Sequence, residues 1–201
     1  MKTLPNSRQF PSKDTMLKDK KMHDILYMLM QSMSEWSGDH STPRYVLKEK
    51  VNKSQMAKAC GYKTRNTLYT HLTNLVKEGY IQETDAMYLL PNFKPGEYFL
   101  IPYDTALFLI DTQATNVIKV YVYLANRWMA NRQQGFGITY KKLCDTIGIY
   151  WNDQRNRDTI SSILLTLHNN YLITVTDPYY FDGYMICDIR YVGNTVSKRP
   201  E

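Results

Sequence analysis

Two stretches decide the fold: SQMAKACGYKTRNTLYTHLTNLVKEGYI, from Ser54 to Ile81, and KKLCDTIGIYWNDQRNRDTISSILLTLHNNYLI, from Lys141 to Ile173. Setting Gly61 on Gly148 places Met56 on Leu143, Ala57 on Cys144, Cys60 on Ile147 and Tyr62 on Ile149. Beyond the glycine, Leu68, Leu72, Leu75 and Val76 recur at helical spacing, as do Ile160, Ile163, Leu164 and Leu167. Each copy closes on a turn followed by extended apolar residues, Gly79-Tyr80-Ile81 and Asn170-Tyr171-Leu172-Ile173. The second copy carries an insertion, Tyr150-Trp151-Asn152-Asp153, between its glycine and its second helix.

Working outward, a longer amphipathic helix is expected ahead of each copy. One runs from about Asp14 to Ser37, with Met22, Ile25, Leu26, Leu29 and Met33 on one face. The other runs from about Thr112 to Asn131, with Val117, Val120, Tyr121, Leu124 and Trp128 on one face. Strand-like segments follow each helix pair. In the first they are Tyr80–Glu83 and Tyr98–Ile101 around a turn at Pro91–Gly96. In the second they are Leu172–Thr176 and Gly183–Val192 around Asp177-Pro178. Helix, short helix, glycine turn, helix and hairpin, written twice, predicts an α+β chain, mainly α, of two tandem winged helix-turn-helix units. The expected domains are a flexible arm over 1–13, winged-helix units over 14–103 and 104–193, and a tail over 194–201.

Charge is segregated along this plan. No acid lies between Glu49 and Glu78, against six basic residues, Lys50, Lys53, Lys58, Lys63, Arg65 and Lys77. None lies between Asp111 and Asp145, against five, Lys119, Arg127, Arg132, Lys141 and Lys142. These windows hold eleven of the 25 Lys and Arg and none of the 19 acids, so the rest of the chain is net negative. Such a surface attracts a polyanion. In a helix-turn-helix the second helix enters the major groove, with its N-terminal residues at base edges. In the first unit that helix begins near Thr64. Its outward residues are Arg65, Asn66, Tyr69, Thr70 and Thr73, with Lys63 just before it. Arg suits guanine, Asn adenine, and Thr or Tyr phosphates and thymine methyls. In the second unit the helix begins near Gln154 and offers Arg155, Asn156 and Arg157, diluted by Asp153 and Asp158. Lys141 and Lys142 on the short helix, and Arg127 and Arg132 on the opening helix, supply backbone contacts. On the first wing, Asn92 and Lys94 are expected at the tip. The second wing, Thr176-Asp177-Pro178-Tyr179-Tyr180-Phe181-Asp182-Gly183, is aromatic and acidic and reads as core packing or a protein interface.

Other classes are not supported. No stretch approaches the ~18 apolar residues of a membrane span, and the N-terminus lacks the apolar run of a secretory signal. Three scattered cysteines, Cys60, Cys144 and Cys187, argue for buried thiols in a reducing, cytoplasmic setting rather than a disulfide framework or a zinc site. His23, His40, His71 and His168 form no metal-ligand motif, no phosphate-binding G-x-x-x-x-G-K-[ST] occurs, and the 17 tyrosines lack an Arg/His cluster for strand transfer. No enzyme, cofactor or metal is expected.

The stretch EYFLIPYDTALFLIDTQATNVIKVYVYLANRW, from Glu97 to Trp128, joins a wing strand, an Ile-Pro exit and a helix of K-V-Y-x-Y-L type. With the tandem layout it resembles the DNA-binding part of plasmid and phage replication initiators. That resemblance implies binding of duplex DNA at an origin or promoter, as monomer or homodimer, with replication or transcription proteins as further partners. The chain ends soon after the second hairpin, which favours a small regulator over a full initiator. The alternative is a winged-helix protein-interaction module, an adaptor or inhibitor of a nucleic-acid enzyme.

Overall fold

A computed structural model describes residues 7–11, 23–35, 42–92 and 98–193. It is an α+β chain that divides into two compact units, residues 1–115 and 116–201. Among the described residues no helix is long and apolar enough to cross a membrane.

In the first unit, strand β1 (Ser7–Pro11) precedes helix α1 (His23–Met33), strand β2 (Arg44–Leu47), and the helix pair α2 (Lys53–Ala59) and α3 (Arg65–Lys77). Strands β3 (Gln82–Glu83), β4 (Met87–Leu90) and β5 (Tyr98–Pro102) follow, then helix α4 (Tyr103–Thr112). One sheet has the order β2-β4-β3 and is antiparallel throughout. A separate antiparallel pair joins β1 to β5. The core is aromatic at its centre. Phe10 meets Tyr27 and Phe99 at ring distances of 6.1 and 5.9 Å, and Tyr27 meets Tyr80 at 6.3 Å. Around these rings Ile25, Leu26, Leu68, Leu75 and Leu109 are fully buried.

Four expectations are corrected here. Residues 7–11 are not a loose arm: Phe10 is buried and β1 is paired along its length with β5. Helix α1 stops at Met33 rather than Ser37, because β2 captures the next two residues. Arg44 donates from Nε to Ser34 Oγ (2.6 Å) and from Nη2 to the Ser34 carbonyl (2.7 Å), and Glu35 exchanges backbone hydrogen bonds with Tyr45. The predicted start at Asp14 lies outside the described residues. The hairpin after α3 turns at Thr84-Asp85-Ala86, not at Pro91–Gly96, since β3 and β4 pair directly and β5 belongs with β1. Finally, α4 is a helix of its own that packs on α1, so the first unit extends to residue 115 rather than 103.

The second unit opens with α5 (Thr115–Ala130), shorter at each end than the predicted 112–131, followed by β6 (Phe136–Thr139), α6 (Tyr140–Ile147) and α7 (Gln154–Asn169). Strands β7 (Ile173–Val175), β8 (Tyr179–Phe181) and β9 (Tyr184–Val192) complete it. Strand β9 is central: β6 lies along one edge, and β7 and β8 pair with it antiparallel at opposite ends. The element order strand, helix, turn, helix, strands thus occurs in both units, with the third-strand partner (β4 or β9) next to the leading strand in each.

The internal repeat has a backbone counterpart. Gly61 (φ 70°) and Gly148 (φ 77°) both take the left-handed conformation that ends the short helix, a conformation other residues adopt at a cost of about 1 kcal/mol or more. The next amide folds back identically, Tyr62 to the Ala57 carbonyl (2.8 Å) and Ile149 to that of Cys144 (3.0 Å). The second helix of each pair then starts on a side-chain cap. Thr64 Oγ1 accepts from the Thr67 amide (3.2 Å), and Asp153 Oδ1 from that of Arg155 (2.9 Å).

Candidate nucleic-acid interface

The inward face of α3 is Leu68, His71, Leu72 and Leu75, all buried. Its helical period leaves Arg65, Asn66, Tyr69, Thr70 and Thr73 exposed, with Lys63 exposed in the turn before it. All six of these sequence-predicted residues therefore share one surface. His71 belongs to the other face. It is 7% exposed and stacks on Tyr62 at 4.5 Å and 12°, so it is a core residue.

The structure adds Lys53, which sequence spacing does not single out. It stands at the start of α2, and its Nζ donates to the Tyr69 hydroxyl at 3.0 Å while lying 4.7 Å from the ring centre. That hydrogen bond holds the Lys53 ammonium above its ordinary range. It also fixes Tyr69, 45% exposed, across the outward face of α3. Lys53, Lys58, Lys63, Arg65 and Lys77 pair with no acid among the described residues. The acids near the pair are answered by other cations: Lys50 takes Glu35, and Lys48 takes Glu83 at 2.7 Å. Glu78 stays exposed at the C-terminal end of α3, so the positive surface is that of α2, the turn and the first turns of α3. At the expected wing tip, Asn92 instead donates to the Thr42 carbonyl (3.3 Å), and Lys94 lies outside the described residues.

The same construction in the second unit is spent on itself. Asn156 Nδ2 donates to the Tyr150 carbonyl (2.7 Å) and Arg157 Nη1 to the Trp151 carbonyl (2.9 Å), while Arg157 Nη2 reaches Gln154 Oε1 (2.6 Å). Both side chains thus brace the four-residue insertion between α6 and α7. Arg155 remains extended into solvent, its side chain 90% exposed, with Asp153 3.6 Å away. Lys141 lies 5.6 Å from the Tyr184 ring and Lys142 5.9 Å from that of Tyr123. Lys119, counted in the second basic window, is 5% exposed and adds nothing to the surface charge. Arg127 and Arg132 are exposed at the C-terminal end of α5, where a cation also complements the helix carbonyls.

The three cysteines are buried, and burial pushes the Cys187 thiol up to about 12 and raises that of Cys144. No group of three or more His, Cys, Asp or Glu able to hold a metal occurs among the described residues. The chain matches no family model, no curated protein and no solved structure.

Proposed function

We propose that the chain is a sequence-specific duplex-DNA-binding protein built from two tandem winged-helix units, with the first unit as the principal reader. One observation carries this: the exposed face of α3 gathers Lys63, Arg65, Asn66, Tyr69, Thr70 and Thr73 without an acid and with Lys53 beside them. Thirteen residues of α3 span about 20 Å, a length that lies comfortably in a major groove. Arg65 and Asn66 occupy its first turn, where groove-reading helices meet base edges. Lys53, Lys58 and Lys63 surround that turn as phosphate contacts. The second unit contributes Arg155 and Lys141 to the backbone rather than reading bases. The biological setting we propose is control of replication initiation or transcription in a plasmid or phage, on the resemblance drawn from Glu97–Trp128.

The test is selection from a random duplex library with the purified chain, followed by binding to the enriched site at 50 and 200 mM salt. An enriched site is expected. With five phosphates neutralised, affinity should drop roughly 500-fold over that salt range. No enrichment together with salt-insensitive binding overturns the proposal.

A further inference from the structure

The hairpin of the second unit carries the opposite chemistry. β8 and β9 meet over a two-residue turn, Asp182-Gly183, with both residues at positive φ (49° and 76°), the mirror-image turn that Asp-Gly favours. Register pairs Phe181 with Tyr184 and Tyr179 with Ile186, which puts these four on one face and Tyr180 with Met185 on the other. Beside the turn, Trp151 lies 5.5 Å from the Tyr184 ring and Lys141 Nζ 5.6 Å from it, while at the root Tyr179 donates its hydroxyl to Asp188 (3.1 Å). Two rings of the hairpin stay largely bare: Tyr180 is 68% exposed and Phe181 67%, on opposite faces. Among the described residues β8 has no strand on its outer side. Because residues flanking a two-residue turn pair with each other, the N–H and carbonyl of Tyr180 point away from β9, toward that open edge.

Adjacent bare aromatics on a projecting ribbon mark a surface meant to be covered. Charge identifies what covers it. From Leu172 to Ile189 there is no Lys, Arg or His, while Asp177, Asp182 and Asp188 are present. Lys141 Nζ, 5.6 Å from the Tyr184 ring, offsets one of these three charges and leaves the hairpin net acidic, which disfavours phosphates. Two copies of the edge, paired antiparallel, set Asp182 of one beside Asp177 of the other, like charge on like. We infer that this hairpin docks an extended, basic segment of a partner protein. The partner's backbone pairs with Tyr180, its apolar side chains cover Tyr180 and Phe181, and its Lys or Arg face Asp177 and Asp182. This inference stands apart from the DNA reading and survives its failure.

The probe is a soluble octapeptide alternating valine and lysine, titrated into the full chain and followed by amide chemical shifts. Saturable binding with shifts confined to Tyr179–Tyr184 is expected. Replacing the lysines by glutamates should weaken it at least tenfold, and methylating the central amide nitrogens should abolish it. The double variant Asp177→Asn/Asp182→Asn should weaken the lysine peptide at least fivefold. It keeps the fold, because Asn accepts the same turn conformation, and circular dichroism checks that. Equal binding of the lysine and glutamate peptides, or absence of saturation, overturns the inference. So does tighter binding of oligothymidylate at the same residues, which would make the hairpin a platform for unpaired bases.

Discussion

Helices α3 and α7 follow the same glycine turn, start on the same kind of cap and bury the same leucine-rich stripe, yet their first turns face different tasks. In α3 the first turn is open: Arg65 and Asn66 extend into solvent beside unpaired lysines. In α7 Arg155 is likewise exposed, but Asn156 and Arg157 are drawn back to the carbonyls of Tyr150 and Trp151. The difference traces to the four-residue insertion. A longer turn leaves backbone carbonyls that must find donors, and Asn156 and Arg157 are the donors at hand. A repeated scaffold can thus hold one helix whose first polar residues stay free in solvent and one in which two of them serve the fold.

The sharpest way to break that comparison is to truncate both helices. Arg65→Ala and Asn66→Ala should each cost ~1–3 kcal/mol at the preferred duplex site and relax the preference at one position. Asn156→Ala and Arg157→Ala should leave the preference unchanged. Selection of the site with each variant decides it. A changed preference in Asn156→Ala would make α7 a second reader.

Next in size is stability. Removing either brace leaves a loop carbonyl without its donor, so Asn156→Ala and Arg157→Ala should each destabilise folding by about 1 kcal/mol in urea titration. Arg65→Ala and Asn66→Ala, whose side chains make no internal bond, should stay within ~0.5 kcal/mol of the parent. The two helices then show opposite rankings in binding and in stability.

The legibility of the chain divides along similar lines. Repeated local patterns were readable because each position is decided by near neighbours: Gly61 and Gly148 by backbone conformation, the leucine stripe by helical period, Thr64 by its cap. Pairings between distant segments were not. Pro91–Gly96 is a far stronger turn signal than Thr84-Asp85-Ala86, so local pattern points to a hairpin one strand later than the one that forms. Only the partnership of β5 with β1, about 90 residues apart, explains why Tyr98–Pro102 leaves that sheet. Lys53 is legible as one cation of a basic window, but its pairing with Tyr69 is not, because the two meet across the turn between helices. The self-engagement of Asn156 and Arg157 depends on where two loop carbonyls end up, which no local pattern records.

A subtler contrast lies at the ends of the helices. After α3, Gly79 takes φ 77° and the Tyr80 amide returns to the Leu75 carbonyl (2.9 Å). After α7, Tyr171 takes the same role at φ 58°, with Leu172 returning to Leu167 (2.9 Å). The left-handed conformation is strained for tyrosine and free for glycine. Tyr171→Gly should therefore stabilise the chain, and Gly79→Ala destabilise it, each by up to about 1 kcal/mol. If Tyr171→Gly is neutral or worse, contacts of the tyrosine ring outweigh the backbone strain, and the two ends are not equivalent.

The smallest expected effect concerns the cation that the first unit gives up. Lys50 and Tyr45 both hydrogen-bond Glu35, and the lysine holds its carboxyl below the usual range. A carboxylate whose folded-state value is depressed contributes stability above its unfolded value, and that contribution disappears as pH drops through the folded value. Glu35→Gln should thus lower stability slightly at neutral pH and match the parent in strong acid, since the pair is exposed and well screened. Its effect on binding has the other sign. Without Glu35, Lys50 joins the positive surface around α2 and α3, and the salt dependence of DNA binding should steepen by up to about one released counterion. An unchanged slope would place Lys50 away from the duplex and confine the reading surface to Lys53, α3 and the turn between the two helices.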